Sequence, residues 1–231
     1  MRSQPHVTLI LMVAATAAFA ACSPSSTSAA PAPCPAGVAP SAPTAELFAT
    51  TNTAVISDPA DPRLRDTLSG MPTDVDATVV RNAALPLDST LTNGVFWSDD
   101  RHETTYEPSR MFRLACTDDT ELRDIAQQVR NEFHQESVLT FTFLDADQSG
   151  KTAVNVEAPR GDVARLHDAL VADPDMQSRL VGGSVTQDHK LIVVADVADL
   201  DLVERLVKQT GADWSAATVR YGKREFVGSD G

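Results

Sequence analysis

The chain has 231 residues, with 19 Lys and Arg against 32 Asp and Glu, a formal net charge of −13 and 42% hydrophobic residues. That composition suits one globular domain with tails and excludes a disordered or fibrous chain. The acidic excess repels phosphate backbones and anionic headgroups, which excludes nucleic acid as a partner and membrane binding driven by charge.

At the N-terminus, "MRSQPHVTLILMVAATAAFAAC" places Arg2 ahead of an uncharged apolar run from Val7 to Ala20. The run is short for a bilayer span and ends in small residues, so residues 1–21 read as a signal peptide. Phe19-Ala20-Ala21-Cys22 resembles the lipobox of bacterial lipoproteins, a resemblance confined to the leader. It implies acylation of Cys22 and anchoring at the outer face of the cell membrane, with an envelope protein as the expected partner. Cleavage after Ala18-Phe19-Ala20, an A-x-A site, is the alternative and leaves a plainly secreted chain. Residues 22–45 are a Ser, Ala and Pro-rich tether that cannot bury a core. With Cys22 as anchor, Cys34 and Cys116 remain as a pair that can oxidise outside the cell; otherwise Cys34 is a free thiol in the tail.

Residues 46–110 show punctuation without sustained periodicity and read as an irregular arm packing on the core. Asp61-Pro62 opens a short helix that stops by Gly70, and Asp76 to Asn82 fits a strand or a short helix equally. Within "TNGVFWSDDRHETTYEPSR", residues 92–110, the residues Phe96, Trp97, His102 and Tyr106 form a candidate binding surface, since amphipathic aromatics serve at interfaces. Asp99, Asp100 and Glu103 beside His102 would serve a hydrolase site in the 94–107 loop, the alternative enzymatic reading. The bland reading is that the aromatics staple the arm to the core.

From Met111 the signals sharpen. Phe112, Leu114 and Cys116 alternate as a strand, and Asp118 with Glu121 forms a capping-box pattern opening a helix with Leu122, Ile125, Ala126, Val129 and Phe133 on one face. Val138 to Leu144 alternates as a strand, and Val154 with Val156 continues another. Helices follow after Asp162 and after Asp173-Pro174, then Gly182-Gly183 breaks the second. A hairpin turns near Gln187 to Lys190 into an apolar arm, Leu191 to Ala195. A helix carrying Leu202, Val203, Leu206 and Val207 stops at Gly211, and a last strand runs from Trp214 to Tyr221. The resulting order predicts an α+β domain over 111–224, a ferredoxin-like split βαβ sheet, antiparallel or mixed, with helices on one face. One βαββαβ unit fits 111–187 or 152–221, and a strand-to-helix spacing recurs loosely within the second.

"DADQSG", residues 145–150, matches the first half of a calcium loop through Asp145, Asp147, Ser149 and Gly150. Position 12 falls on Val156, Glu157 comes one residue late, and both flanks alternate like strands, so the stretch reads as a hairpin loop with calcium as the alternative. His134, His167 and His189 sit in structural settings, and no transition-metal, phosphate-cradle or nucleophile-elbow motif appears. The sequence therefore names no catalytic residue and no cofactor. It points to an exported, lipid-anchored, non-enzymatic interaction or binding module.

Overall fold

The computed structural model describes residues 42–50, 55–98, 101–145 and 147–228. Eight strands close into one barrel in which every neighbouring pair is antiparallel. In chain order these are β1 (Ala45–Thr50), α1 (Met71–Arg81), β2 (Leu85–Ser98), β3 (Glu103–Ala115), α2 (Asp119–Glu132) and β4 (Ser137–Phe143). The second half follows as β5 (Ala153–Pro159), α3 (Val163–Ala172), α4 (Pro174–Leu180), β6 (Gly182–Thr186), β7 (Lys190–Asp196), α5 (Leu200–Gln209) and β8 (Thr218–Gly228). Around the barrel the strands run β1, β3, β2, β6, β7, β5, β8, β4.

This corrects the expected fold. There is no open ferredoxin-like sheet over 111–224, and no irregular arm before it: β1, β2 and the start of β3 come from residues 45–110 and supply staves without which the barrel could not close. Each half does run strand, helix, strand, strand, helix, strand, but β2 pairs with β6 and β4 with β8, so the two halves join along both edges.

The period-two alternation of each strand sorts side chains into outer and inner sets. Outward residues of the first half, including Leu47, Phe112, Leu114 and Val138, pack under α1 and α2 with Val75, Val79, Ile125 and Val129. Those of the second half, including Val154, Val156, Leu191 and Val193, pack under α3, α4 and α5 with Leu166, Leu170, Leu202 and Leu206. Burying such a side chain contributes about 1.5–3 kcal/mol, so these two outer layers hold most of the apolar driving force. Inside the barrel lies a third, smaller layer of Phe48, Met111, Phe141, Ile192 and Val194.

Local chemistry explains the best-defined helix. The Asp118 carboxylate accepts from the backbone N–H groups of Thr120 and Glu121, both at 2.8 Å, and Glu121 reaches back to the Asp118 N–H, completing the capping box. Asp61 caps a 3₁₀ turn at Pro62–Arg65, and the ambiguous stretch from Asp76 falls within α1 and just past its end.

The loop after β4 is not a hairpin. β4 and β5 each pair with β8 and not with each other, so residues 144–152 carry the chain across β8 from one half to the other. Asp145, Asp147, Ser149 and Gly150 are exposed there, Gly150 takes φ 87, and the Gln148 side chain accepts from the Asp145 N–H at 2.9 Å. A left-handed position and a local side-chain bond are what a turn requires. Among the described residues no cluster of three or more His, Cys, Asp or Glu is placed to hold a metal.

Candidate binding cavity

One end of the barrel is filled with charge and the other is open. Toward the filled end, Glu46 is fully buried and accepts from the Asn155 side-chain amide. Arg113 lies 3.5 Å from both Glu46 and Asp88. Glu157 pairs with Lys190 at 3.1 Å and with Arg220. Burial, reinforced by the negative charge of Glu157, pushes the Glu46 carboxyl up to about 7 despite Arg113 and Arg220.

At the other end the inward side chains leave a cavity of about 300 Å³, a size that suits a small organic molecule. Its walls come from Phe48 on β1, Phe96 and Trp97 on β2, Glu107 on β3, Leu139 on β4 and Phe226 on β8. Phe226 faces inward in register with Leu139, yet remains 37% exposed, so this part of the barrel is not closed over by the protein's own side chains. Arg101, Arg130, His134 and Glu136 also line the cavity, and the last three belong to the turn between α2 and β4 or its approach.

Two glycines shape the cavity wall. A Cβ on Gly94 or on Gly182 would run into the Phe96 ring, so both must lack a side chain for that ring to lie flat within the barrel. Gly94 is also the cross-strand partner of Glu107, which places the carboxyl beside the aromatic ring. At the edge of the cavity Val181 takes φ 64, a strained conformation for a β-branched residue, and its carbonyl accepts from the Trp97 N–H at 2.8 Å.

Glu107, half-buried, is the titratable group within this site. One carboxyl oxygen, Oε1, accepts from the Thr105 hydroxyl at 3.2 Å. Among the described residues the other, Oε2, has no hydrogen-bond or ion-pair partner and is not sealed off, so it opens to the cavity that Glu107 lines. Desolvation, with Glu136 adding negative charge, raises this carboxyl to about 7, and the Thr105 hydroxyl offsets that in part. Glu136 itself accepts from the Ser98 hydroxyl at 2.9 Å, and its backbone carbonyl accepts from Arg130 at 3.0 Å.

The four aromatic-surface residues expected from sequence are separated by the structure. Phe96 and Trp97 line the cavity. His102 is exposed at φ 57 in the turn after β2, its ring 6.4 Å from that of Trp97. Tyr106 points outward on β3, is 3% exposed and stacks on His167 at 4.5 Å, because alternation sends it to the opposite face from Glu107. Glu103 is exposed as well, so His102 and Glu103 splay into solvent, while Asp99 and Asp100 lie outside the described residues. Cys116 is the one described cysteine, and Cys22 and Cys34 lie outside the described residues. No bridge joins two described cysteines, and the expected pairing of Cys34 with Cys116 is not placed.

Sequence reasoning passed over Glu107 and Glu136, and over Gln135, which lines the cavity and accepts from the Thr50 N–H at 2.9 Å. The available signal was parity: counting back from the outward Phe112 and Leu114 through Arg110 and Pro108 sets Glu107 on the inner face with Ser109 and Met111.

No protein-family model matches the chain, and no curated protein matches it. Two solved structures, each described as a "putative monooxygenase", are similar to it. The one from Fusobacterium nucleatum subsp. nucleatum is 8% identical, with 82% of this chain and 96% of that chain covered and a TM-score of 0.24. That from Lactobacillus acidophilus is 14% identical, with 80% and 95% covered and a TM-score of 0.23. Neither likeness bears on the activity of this chain. Among the described residues no helix is long and apolar enough to cross a membrane.

Proposed function

We propose that this protein is an exported, lipid-anchored binding module that holds a small organic molecule in the open end of its barrel. The observation that carries the binding half is the cavity of about 300 Å³, where apolar surface on Phe96, Leu139 and Phe226 is left unfilled beside a half-buried carboxyl. The leader and the tether support the anchoring half. Hydrolysis by the 94–107 loop has less support, because His102 and Glu103 splay into solvent rather than converge on the cavity.

The test of binding uses the uncharged environment-sensitive dye prodan. Its emission should shift to the blue with the wild-type protein and should not with Ser137→Trp. Ser137 is exposed at the mouth of the cavity, so the indole blocks the entrance without entering the packed layers. An equal shift with both proteins would refute the cavity as the site. For anchoring, mass spectrometry of the mature N-terminus should find Cys22 acylated, and an unacylated chain beginning at Ala21 would refute it.

A further inference from the structure

We infer, resting on the cavity-binding reading above, that the molecule this cavity takes is an amine, with an ammonium head against Glu107 and an apolar body among Phe48, Phe96 and Phe226. Three independent features point to that chemistry. First, Glu107 presents an unpartnered carboxyl oxygen to the cavity, and none of the basic groups that line the cavity pairs with it. Second, the charge that acts on it is that of Glu136, a second acid, and no basic side chain among the described residues offsets it there. Third, the inward rings of Phe48, Phe96 and Phe226 line the same space, and ring faces attract an ammonium while giving its apolar substituents a surface to cover.

The other charged groups facing the cavity are Arg101 on the β2–β3 turn, Arg130 near the end of α2, and His134 and Glu136 on the α2–β4 turn. Arg101, His134 and Glu136 are exposed, and Arg130 is engaged with the Glu136 carbonyl, so the positive groups gather at the rim. A ligand reaching the floor meets Glu107. Because that carboxyl is raised to about 7 in the empty cavity, an incoming ammonium must bind its ionised form. Affinity for the amine should then climb about tenfold between pH 6 and pH 8, as the ionised fraction grows. A ligand that accepts a hydrogen bond from the protonated carboxyl would show the opposite slope.

The experiment compares three probes of one shape by calorimetric titration: 2-naphthylmethylammonium, 2-naphthylmethanol and 2-naphthoate. With the wild-type protein the ammonium should bind at least tenfold tighter than the alcohol at pH 8, and its advantage should shrink toward pH 6. Glu107→Gln should bring the ammonium down to the alcohol's affinity and abolish the pH slope, while the alcohol binds as before. The wild-type pH series stands without the variant, so a misfolded Glu107→Gln protein does not decide the matter. Tightest binding by naphthoate, equal binding of alcohol and ammonium, or affinity for the ammonium that falls with rising pH would overturn the amine assignment and leave the cavity reading intact. If none of the three probes distinguishes wild type from Ser137→Trp, the cavity reading itself falls.

Discussion

Glu46 offers the most direct physical test of the barrel interior. Its carboxyl sits at about 7 in the folded chain against an ordinary 4.5, chiefly because burial disfavours the charged form and secondarily because Glu157 repels it. Between those two pH values the folded chain holds a proton that the unfolded chain has released. Stability therefore falls as pH rises, by about 1.4 kcal/mol per unit and about 3 kcal/mol across the window, then levels off above pH 7. Glu46→Gln removes the titration while keeping an oxygen for the Asn155 amide, at the cost of the Arg113 contact. Urea unfolding of both proteins from pH 4.5 to 8 isolates the effect as a difference, in which titrations common to both proteins largely cancel. Relative to wild type, the variant should gain about 3 kcal/mol over that range, whatever its offset at acid pH. A difference between the two proteins that stays constant with pH would show that Glu46 is as readily ionised folded as unfolded, and would refute the account of the charged end given above.

Two further outcomes follow from local geometry. Asp118→Ala removes the carboxylate that accepts from the Thr120 and Glu121 N–H groups, the side-chain half of the α2 capping box, and should cost about 1 kcal/mol, read as a fall of about 2–4 °C in Tm. Gly94→Ala drives a methyl group into the Phe96 ring, so it should cost about 1–3 kcal/mol by urea unfolding and weaken prodan binding as the ring is forced from its place in the barrel.

What the sequence disclosed depended on which face of each element was apolar. The second half read well because its strands are apolar where they meet helices, as in Val154, Val156, Leu191, Val193 and Ala195, and because Asp162 and Asp173 cap the helices that follow them. The first half was obscured by the barrel lumen. β2 points Thr90 and Thr92 inward in register with Met111 and Ser109 of β3, so its inner face is polar without being fully open to solvent. Gly94 and Pro108 then look like breaks. Pro108 lies opposite Asn93 of β2 and its carbonyl accepts from the Thr50 hydroxyl at 2.6 Å, so it sits within the strand despite its missing N–H. The strand-to-helix spacing noted within 152–221 matched β5–α3 with β7–α5, whereas the order that recurs between the halves is four strands long. Of the cavity, Phe96 and Trp97 were visible as aromatics in a polar stretch, whereas Glu107 gains its meaning from strands distant in the chain.

The two seams, β2 with β6 and β4 with β8, carry a consequence for how other molecules can engage this domain. Either half alone would expose a pair of raw strand margins, the usual template for adding a foreign strand or for stacking into fibres. Joined, the described strands cover those margins along Thr92–Phe96 with β6 and Ser137–Phe143 with β8. A break in either seam would uncover them again and make the domain self-adhesive.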